Sequence, residues 1–350
     1  MKTIIFIAEL CGLLLICSGS NAYPSYNEEI NRAELDIVSN NFVEANKHFK
    51  NAFDINNHPQ PIDAENAVIN AVIINDFDQA FAFAKKIAET GVGRTYFEKL
   101  KRFSILKSKK EWALLLTYAS EQKLRIDTEG HKLIIELIDL QKKYQKIISL
   151  GFNKNTSKEN LGKLTDEKLA IEQTLHNLFV KEGYLSEYQI GANIKNDTLF
   201  SYPIFSDIII YSYMPDLSKK EFVYKEPDQA FYLFMDEMKK GTISFYYLQD
   251  IITNQQVMNL RLPSIGQFGC SFYACKKSEL SPFEIDNRRR KIGLCSYDDY
   301  MKKFTFVIEN PNSPFTIFPK NTGLSQDDGL TGQLSLPNVC SLVYKIPNCK

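Results

Sequence analysis

The sequence is poor in histidine and tryptophan, carries no excess charge of either sign and has no long hydrophobic run after its first 22 residues. Lys and Arg number 42 and Asp and Glu also number 42. This balance excludes a global electrostatic attraction to nucleic acid or to an anionic membrane. No later segment reaches about 18 consecutive apolar residues, so we expect no transmembrane segment there. The motifs of P-loop, dinucleotide-binding, serine-hydrolase and zinc-protease sites are also missing.

The N-terminus has the layout of a secretory signal peptide. Lys2 supplies a positive start, an apolar stretch runs on to Cys17, and small residues precede a cleavage site after Ala22. We therefore expect residues 1–22 to be a signal peptide and the mature protein to be exported. Two alternatives stay open. One is a lipid anchor on Cys17, where Ile16 is bulky for that signal, and the other is an uncleaved cytosolic N-terminus.

The cysteines that follow the leader all lie in the last quarter of the chain, at positions 270, 275, 295, 340 and 349. There is no Cys-x-x-Cys pair and no histidine nearby, so the spacing is poor for zinc and we predict no metal site. Disulfides fit better in an exported protein: Cys340 with Cys349, and one link among Cys270, Cys275 and Cys295. The alternative is that these residues are buried as small apolar side chains.

The first third of the chain repeats with a period of 35 residues. The large aromatic residues Phe42, Phe77 and Trp112 share this spacing, and the same spacing recurs at the next positions of one helix face. Further sets with this spacing are Ala45, Ala80 and Leu115; Phe49, Ala84 and Ala119; and Ala33, Val68 and Phe103. We therefore predict three stacked helix pairs in residues 23–121.

This segment resembles the tetratricopeptide repeat family. Phe42-Val43-Glu44-Ala45, with Phe49, Ala52, Phe53 and Asn56 after it and Pro59 as a stop, is similar to the second helix of such a repeat, and Phe77-Asp78-Gln79-Ala80 begins a second copy. The resemblance covers about residues 24–121, without the Gly-x-x-Tyr part of the first helix. It implies a short array with a concave side for a peptide or a neighbouring domain, while Phe42, Phe77 and Trp112 would belong mainly to the core. Alternatively, the array only packs against the rest of its own chain.

Residues 122–303 are predicted to form a compact helical domain. Apolar spacing indicates helices over 131–150, capped by Asp127 or Thr128, and over 166–181, after a polar loop at 154–165. Further helices are expected at 203–210, 227–240 and 244–254.

This second region resembles an uncharacterised family of bacterial exported proteins. The resemblance rests on Asp139-Leu140-Gln141, Gly183-Tyr184, Gly241-Thr242-Ile243-Ser244, Gly266-Gln267-Phe268-Gly269 and, most specifically, Arg288-Arg289-Arg290-Lys291-Ile292-Gly293-Leu294. Phe268 and Cys270 depart from the pattern. The resemblance implies a related fold and no activity.

The last segment, residues 304–350, is predicted to be a small β-rich tail that contains a disulfide. Residues 304–308 and 341–346 alternate in polarity like strands, and turn signals lie between them.

Few residues are candidates for chemistry. His131 and His176 are candidate catalytic residues if their helices face each other. Arg288 and Arg289 are candidates for an anion site, or for an internal clamp against nearby carboxylates. The sequence predicts no cofactor and no nucleic-acid partner.

The chain is thus expected to be mainly α-helical, with a tetratricopeptide-like array, a helical domain and a small β appendage. The favoured function is an exported binding or scaffolding module of the cell envelope with a protein or peptide partner. An enzyme, such as a hydrolase with a cleft between array and second domain, and a purely structural subunit are the alternatives.

Overall fold

A computed structural model describes residues 25–153, 155–195, 197–200, 202–212, 236–243, 283, 286–287 and 295–317. The fold is mainly helical, as predicted from the sequence. Helices α1 (Tyr26–Val38), α2 (Phe42–Ile55), α3 (Pro61–Ile73) and α4 (Phe77–Glu89) form two helical hairpins. The second hairpin begins 35 residues after the first, so the predicted period is confirmed.

The turns within the two hairpins are also copies of each other. Asn40 and Asn75, again 35 residues apart, have φ angles of 59° and 61°. Asparagine tolerates this left-handed conformation better than most residues, and a glycine is therefore not needed. In each turn the following residue, Asn41 or Asp76, donates its N–H to the carbonyl oxygen five residues earlier, at 2.7 and 2.9 Å.

The third repeat unit departs from the prediction. Its second helix, α6 (Trp112–Glu129), begins on the expected residue. Its first helix is replaced by the short α5 (Arg94–Lys99) and two 3₁₀ turns, Lys101–Phe103 and Leu106–Ser108. Phe103 is still buried at the expected repeat position. Lys107 stands where the other units have Ile37 and Val72, so the unit lacks the continuous apolar face that a full helix would bury.

The second helical region begins at α7 (His131–Phe152) and α8 (Lys158–Glu182). The predicted loop at 154–165 is wrong in part, because Ser157 caps α8 by accepting the N–H of Asn160. Asp127 and Thr128 do not cap α7, since they lie inside α6. Gly183 ends α8 as expected, with φ at 77°. The short α9 (Glu187–Ile190), strands β1 (Ile194–Lys195) and β2 (Thr198–Leu199), and α10 (Ser206–Ser212) follow.

The predicted strand at 304–308 is wrong, because these residues belong to α11 (Tyr297–Glu309). Ser296 caps this helix by accepting the N–H of Asp299 at 3.1 Å. Tyr300 and Lys303, at helical spacing, are both buried, and α11 packs against α1. This long-range packing overrides the local alternation. The predicted strand at 341–346 lies outside the described residues.

Two clusters of buried side chains form the core. The first contains side chains of α1 to α6, which we call the array, together with Leu199, Phe315 and Ile317. Phe306 and Val307 of α11 pack against it. The second joins α7, α8, α9 and α10 with Met238 and Ile243. Helix α3 is central to the first cluster: all of its residues except Ile73 are buried. The part of the predicted tail that is described therefore packs on the array.

Candidate functional site

The three repeat aromatics occupy similar places, each half-buried against the first core. Phe42 stacks on Phe315 with ring centroids 6.1 Å apart. The Nζ atom of Lys109 lies 3.6 Å from the centroid of the Phe77 ring, which is a cation–π contact. These residues contribute mainly to the core, with Phe42 also reaching a groove described below.

The other candidates from the sequence lie on separate elements where the structure describes them. His176 is exposed on α8, and His131 is the first residue of α7. Cys295 is half-buried and packs against the second core. Arg288, Arg289, Cys270, Cys275, Cys340 and Cys349 lie outside the described residues. Within the described residues, no group of three or more His, Cys, Asp or Glu side chains has a metal-binding arrangement.

The array has a side that its own chain covers. We call it the inner face: the side of α1 and α3 that contacts α11 and residues 313–317. Lys303 of α11 and Glu34 of α1 form an ion pair of 2.8 Å, with side chains 0% and 1% exposed. Lys303 also donates to Asn31 Oδ1 at 2.7 Å. An ion pair this deeply buried fixes the position of α11, since separating it would leave a charge without compensation.

Asparagine side chains at one repeat position hold the C-terminal segment. Asn66 of α3 donates through Nδ2 to the Thr316 carbonyl at 2.9 Å and accepts the Thr316 N–H through Oδ1 at 2.8 Å. Asn31, 35 residues earlier, bonds Lys303 and donates to Asp299 Oδ2 at 3.3 Å. The equivalent position in the third unit is Lys101, which is exposed.

The buried acids of α1 and α3 have different partners. Glu29 accepts His48 Nδ1 at 2.7 Å and Arg32 at 2.9 Å. Its burial opposes ionisation, but the hydrogen bonds from His48 and Asn51 hold its pKa below the ordinary value. Glu65 pairs with Arg102 at 3.2 Å and accepts the Tyr96 hydroxyl.

Asp63 is a buried acid of α3 whose hydrogen-bond partner is a neutral side chain. It accepts the Tyr26 hydroxyl at 2.7 Å. Burial raises the pKa of Asp63 to about 7, the Glu34 carboxylate adds to the rise, and Lys303 opposes it. Lys303 thus acts on two buried carboxyl groups, and the neutral form of Asp63 avoids repulsion with the Glu34 carboxylate.

Residues 236–243 close the other end of the inner face. Asn27 donates to the Met238 carbonyl at 2.6 Å, and Gln60 donates to the Thr242 carbonyl. Gly241 has a φ of 79° and lies against the Tyr26 ring, where a Cβ atom would collide with the ring carbons. Glycine is therefore required there for both its conformation and its small size.

An open groove of about 470 Å³ lies at the edge of the inner face. Its apolar walls are formed by Ile37, Phe42, Ile73, Phe306, Pro311, Pro314 and Phe315. Its polar lining is formed by Asn40, Glu309, Asn310, Asn312 and Ser313. The volume lies in the range of small-ligand sites, and Glu309 is the one ionisable residue among the described residues that line the groove. The groove therefore suits an apolar group better than an ion.

Sequence reasoning missed most of these residues. The recurrence of Asn31 and Asn66 at the repeat spacing was a visible signal. Lys303, Phe315 and Ile317 gave no comparable signal, because their partners lie more than 200 residues away in the chain.

Comparison with protein-family models, with curated proteins and with solved structures found no match to this chain. The two family resemblances therefore stay predictions, and the function has to be argued from the geometry. Among the helices of the described residues, none combines the length and the apolar character that crossing a bilayer requires.

Proposed function

We propose that this protein is an exported binding module of the cell envelope that holds a short apolar segment of a partner protein. The observation that carries the proposal is the open groove between the array and the end of α11. A pocket of this size with aromatic walls buries one or two apolar side chains, while the amide groups at its edge can bond a partner's main chain.

The covered inner face limits where such a partner can bind. A solenoid of this kind offers its inner side to ligands, but here α11 and residues 313–317 already occupy it. The groove remains accessible: Ile73, at its wall, is 41% exposed although the rest of α3 is buried. We therefore place the partner's segment in the groove beside α11.

The proposal is tested with a displayed library of random peptides selected on the immobilised protein. We expect enriched peptides to carry aromatic or branched aliphatic residues. Ile73→Glu should weaken their binding at least tenfold in fluorescence polarisation, because it places a carboxylate against the apolar wall. Ile55→Glu is the matched control: Ile55 is 49% exposed on α2 but does not line the groove. Failure to enrich any peptide, or equal binding by both variants, would contradict the proposal.

A further inference from the structure

Residues 310–317, which we call the strap, lie on the array in the manner of a bound peptide. Asn66 is buried and satisfies both the N–H and the carbonyl group of Thr316. Such a pair of bonds to the main chain is independent of the side chain at that position, as in the recognition of peptides through backbone groups.

The two neighbours of Thr316 supply the side-chain contacts. Phe315 stacks on Phe42, and both Phe315 and Ile317 are part of the first core. Thr316 itself is half-buried. The strap thus places an aromatic and a branched aliphatic side chain against the array, on either side of Thr316.

The strap and α11 are held by different forces. Helix α11 is fixed by the buried pair of Lys303 and Glu34. The contacts described for the strap are the two bonds of Asn66 and the packing of two apolar side chains, with no ion pair among the described residues of this segment. Since the charged anchor lies on α11, release of the strap would not separate this ion pair.

The strap also forms one side of the open groove, which its residues 310–315 line. A segment that binds in the groove therefore adjoins the position of Phe315. A longer segment with suitable residues would compete for that position and for Asn66.

We propose that the strap is an intramolecular ligand of α3, and that a partner segment with an aromatic-any-aliphatic triplet replaces it on Phe42 and Asn66. This inference rests on the proposed function, because it names the partner's chemistry and uses the groove walls that remain when the strap is replaced, which are those of Ile37, Phe42, Ile73 and Phe306. Occupation by the strap would keep the site closed until a partner with this triplet competes for it.

The test measures the binding of a fluorescent peptide with the sequence of residues 310–317 to the full chain. In the variant Phe315→Ala/Ile317→Ala the strap is weakened, so we expect the peptide to bind at least tenfold more tightly than to the wild type. Adding Asn66→Ala should remove at least tenfold of that affinity, whereas Asn57→Ala, at an exposed asparagine, should not. A peptide with alanine at the positions of Phe315 and Ile317 should not bind.

A second variant weakens the strap in a different way, so that the test does not depend on the folding of the first. Thr316→Pro removes the N–H that donates to Asn66 and keeps both apolar side chains, so it should also tighten peptide binding. Circular dichroism checks that each variant keeps its helix content. The inference would be overturned if Phe315→Ala/Ile317→Ala and Thr316→Pro both bind the peptide with the affinity of the wild type, or if Asn66→Ala has no effect on peptide binding. Exchange of the strap between two copies, seen as dimers that form with rising concentration and do not bind the peptide, would overturn it as well.

The two proposals fail separately. If library peptides bind the wild type in an Ile73-dependent way but never compete with the strap peptide, only the inference is wrong. If the strap peptide binds as expected and Ile73→Glu has no effect on any peptide, the groove proposal is wrong.

Discussion

Asp63 is a buried carboxyl group that opposes folding when it is ionised. Its pKa is raised to about 7 by burial, against about 3.9 in an unfolded chain. The folded protein therefore retains a proton that the unfolded chain releases. The stabilising contribution of this proton is fully present below the unfolded pKa and is lost as the pH rises through about 7.

The variant Asp63→Asn removes this pH dependence and can still accept the Tyr26 hydroxyl. The free energy of unfolding of the variant minus that of the wild type should grow as the pH rises from 4 to 7, by as much as ~4 kcal/mol. Urea unfolding at pH 4.5, 6 and 8 measures the difference. Glu187 is also buried with a pKa of about 7, but its contribution is common to both proteins and cancels.

The control for this comparison is Asp54→Asn, because Asp54 is exposed on α2. Its stability relative to the wild type should stay constant over the same range. If the difference in free energy of unfolding between Asp63→Asn and the wild type does not change with pH, Asp63 is ionised in the folded protein over this range.

At the scale of elements, the buried charge of Lys303 contributes to the position of α11. Lys303→Met leaves Glu34 buried without its cation, and we expect it to lower the free energy of unfolding by about 3–5 kcal/mol. Lys302→Met is the matched control on the same helix. Lys302 pairs with Asp298 at 2.6 Å, but both side chains are more than half exposed, so the cost should stay below ~1 kcal/mol.

The double variant Glu34→Leu/Lys303→Met separates charge from packing. With both charges removed, the stability should recover to within ~1–2 kcal/mol of the wild type, since a buried ion pair is often replaceable by apolar residues. Denaturant unfolding of the wild type, Glu34→Leu, Lys303→Met and the double variant gives the coupling energy. If the double variant is as unstable as Lys303→Met alone, α11 is held by contacts other than this pair.

The elements that could be predicted from the sequence are those determined by local patterns. The hairpins α1–α2 and α3–α4 follow from the apolar spacing, and Gly183 ends α8 where a left-handed residue is needed. Helix α11 could not be predicted, because 304–308 alternates in polarity and the contact that decides its conformation joins residues 269 positions apart. The same reason applies to the candidate site: Asn66 is visible in the repeat, but its partner Thr316 is not.

On the scale of the whole molecule, α11 and the strap pack against the N-terminal helices. Helix α3 is therefore enclosed by the neighbouring helices of the array and by these later segments. This enclosure explains how one helix can bury Asp63, Glu65, Asn66 and Asn70 together. Each of these side chains has a hydrogen-bond or ion-pair partner on another element: Tyr26, Arg102, Thr316 and Phe42 respectively. These contacts favour the observed arrangement of the surrounding elements, because losing any of them would leave a further buried polar group unsatisfied.

Enclosure of α3 should make it the slowest-exchanging helix of the protein. All of its residues except Ile73 are buried, whereas α8 has five buried residues in its 25. Native-state hydrogen exchange with mass spectrometry should therefore place the amides of α3 in the most protected class and those of α8 in a faster one. In Lys303→Met, protection should fall in α1 and α3 and stay unchanged in α8, because Lys303 pairs with α1 of the first core and α8 belongs to the second. An equal loss of protection in α8 would show that the two cores unfold as a single cooperative unit.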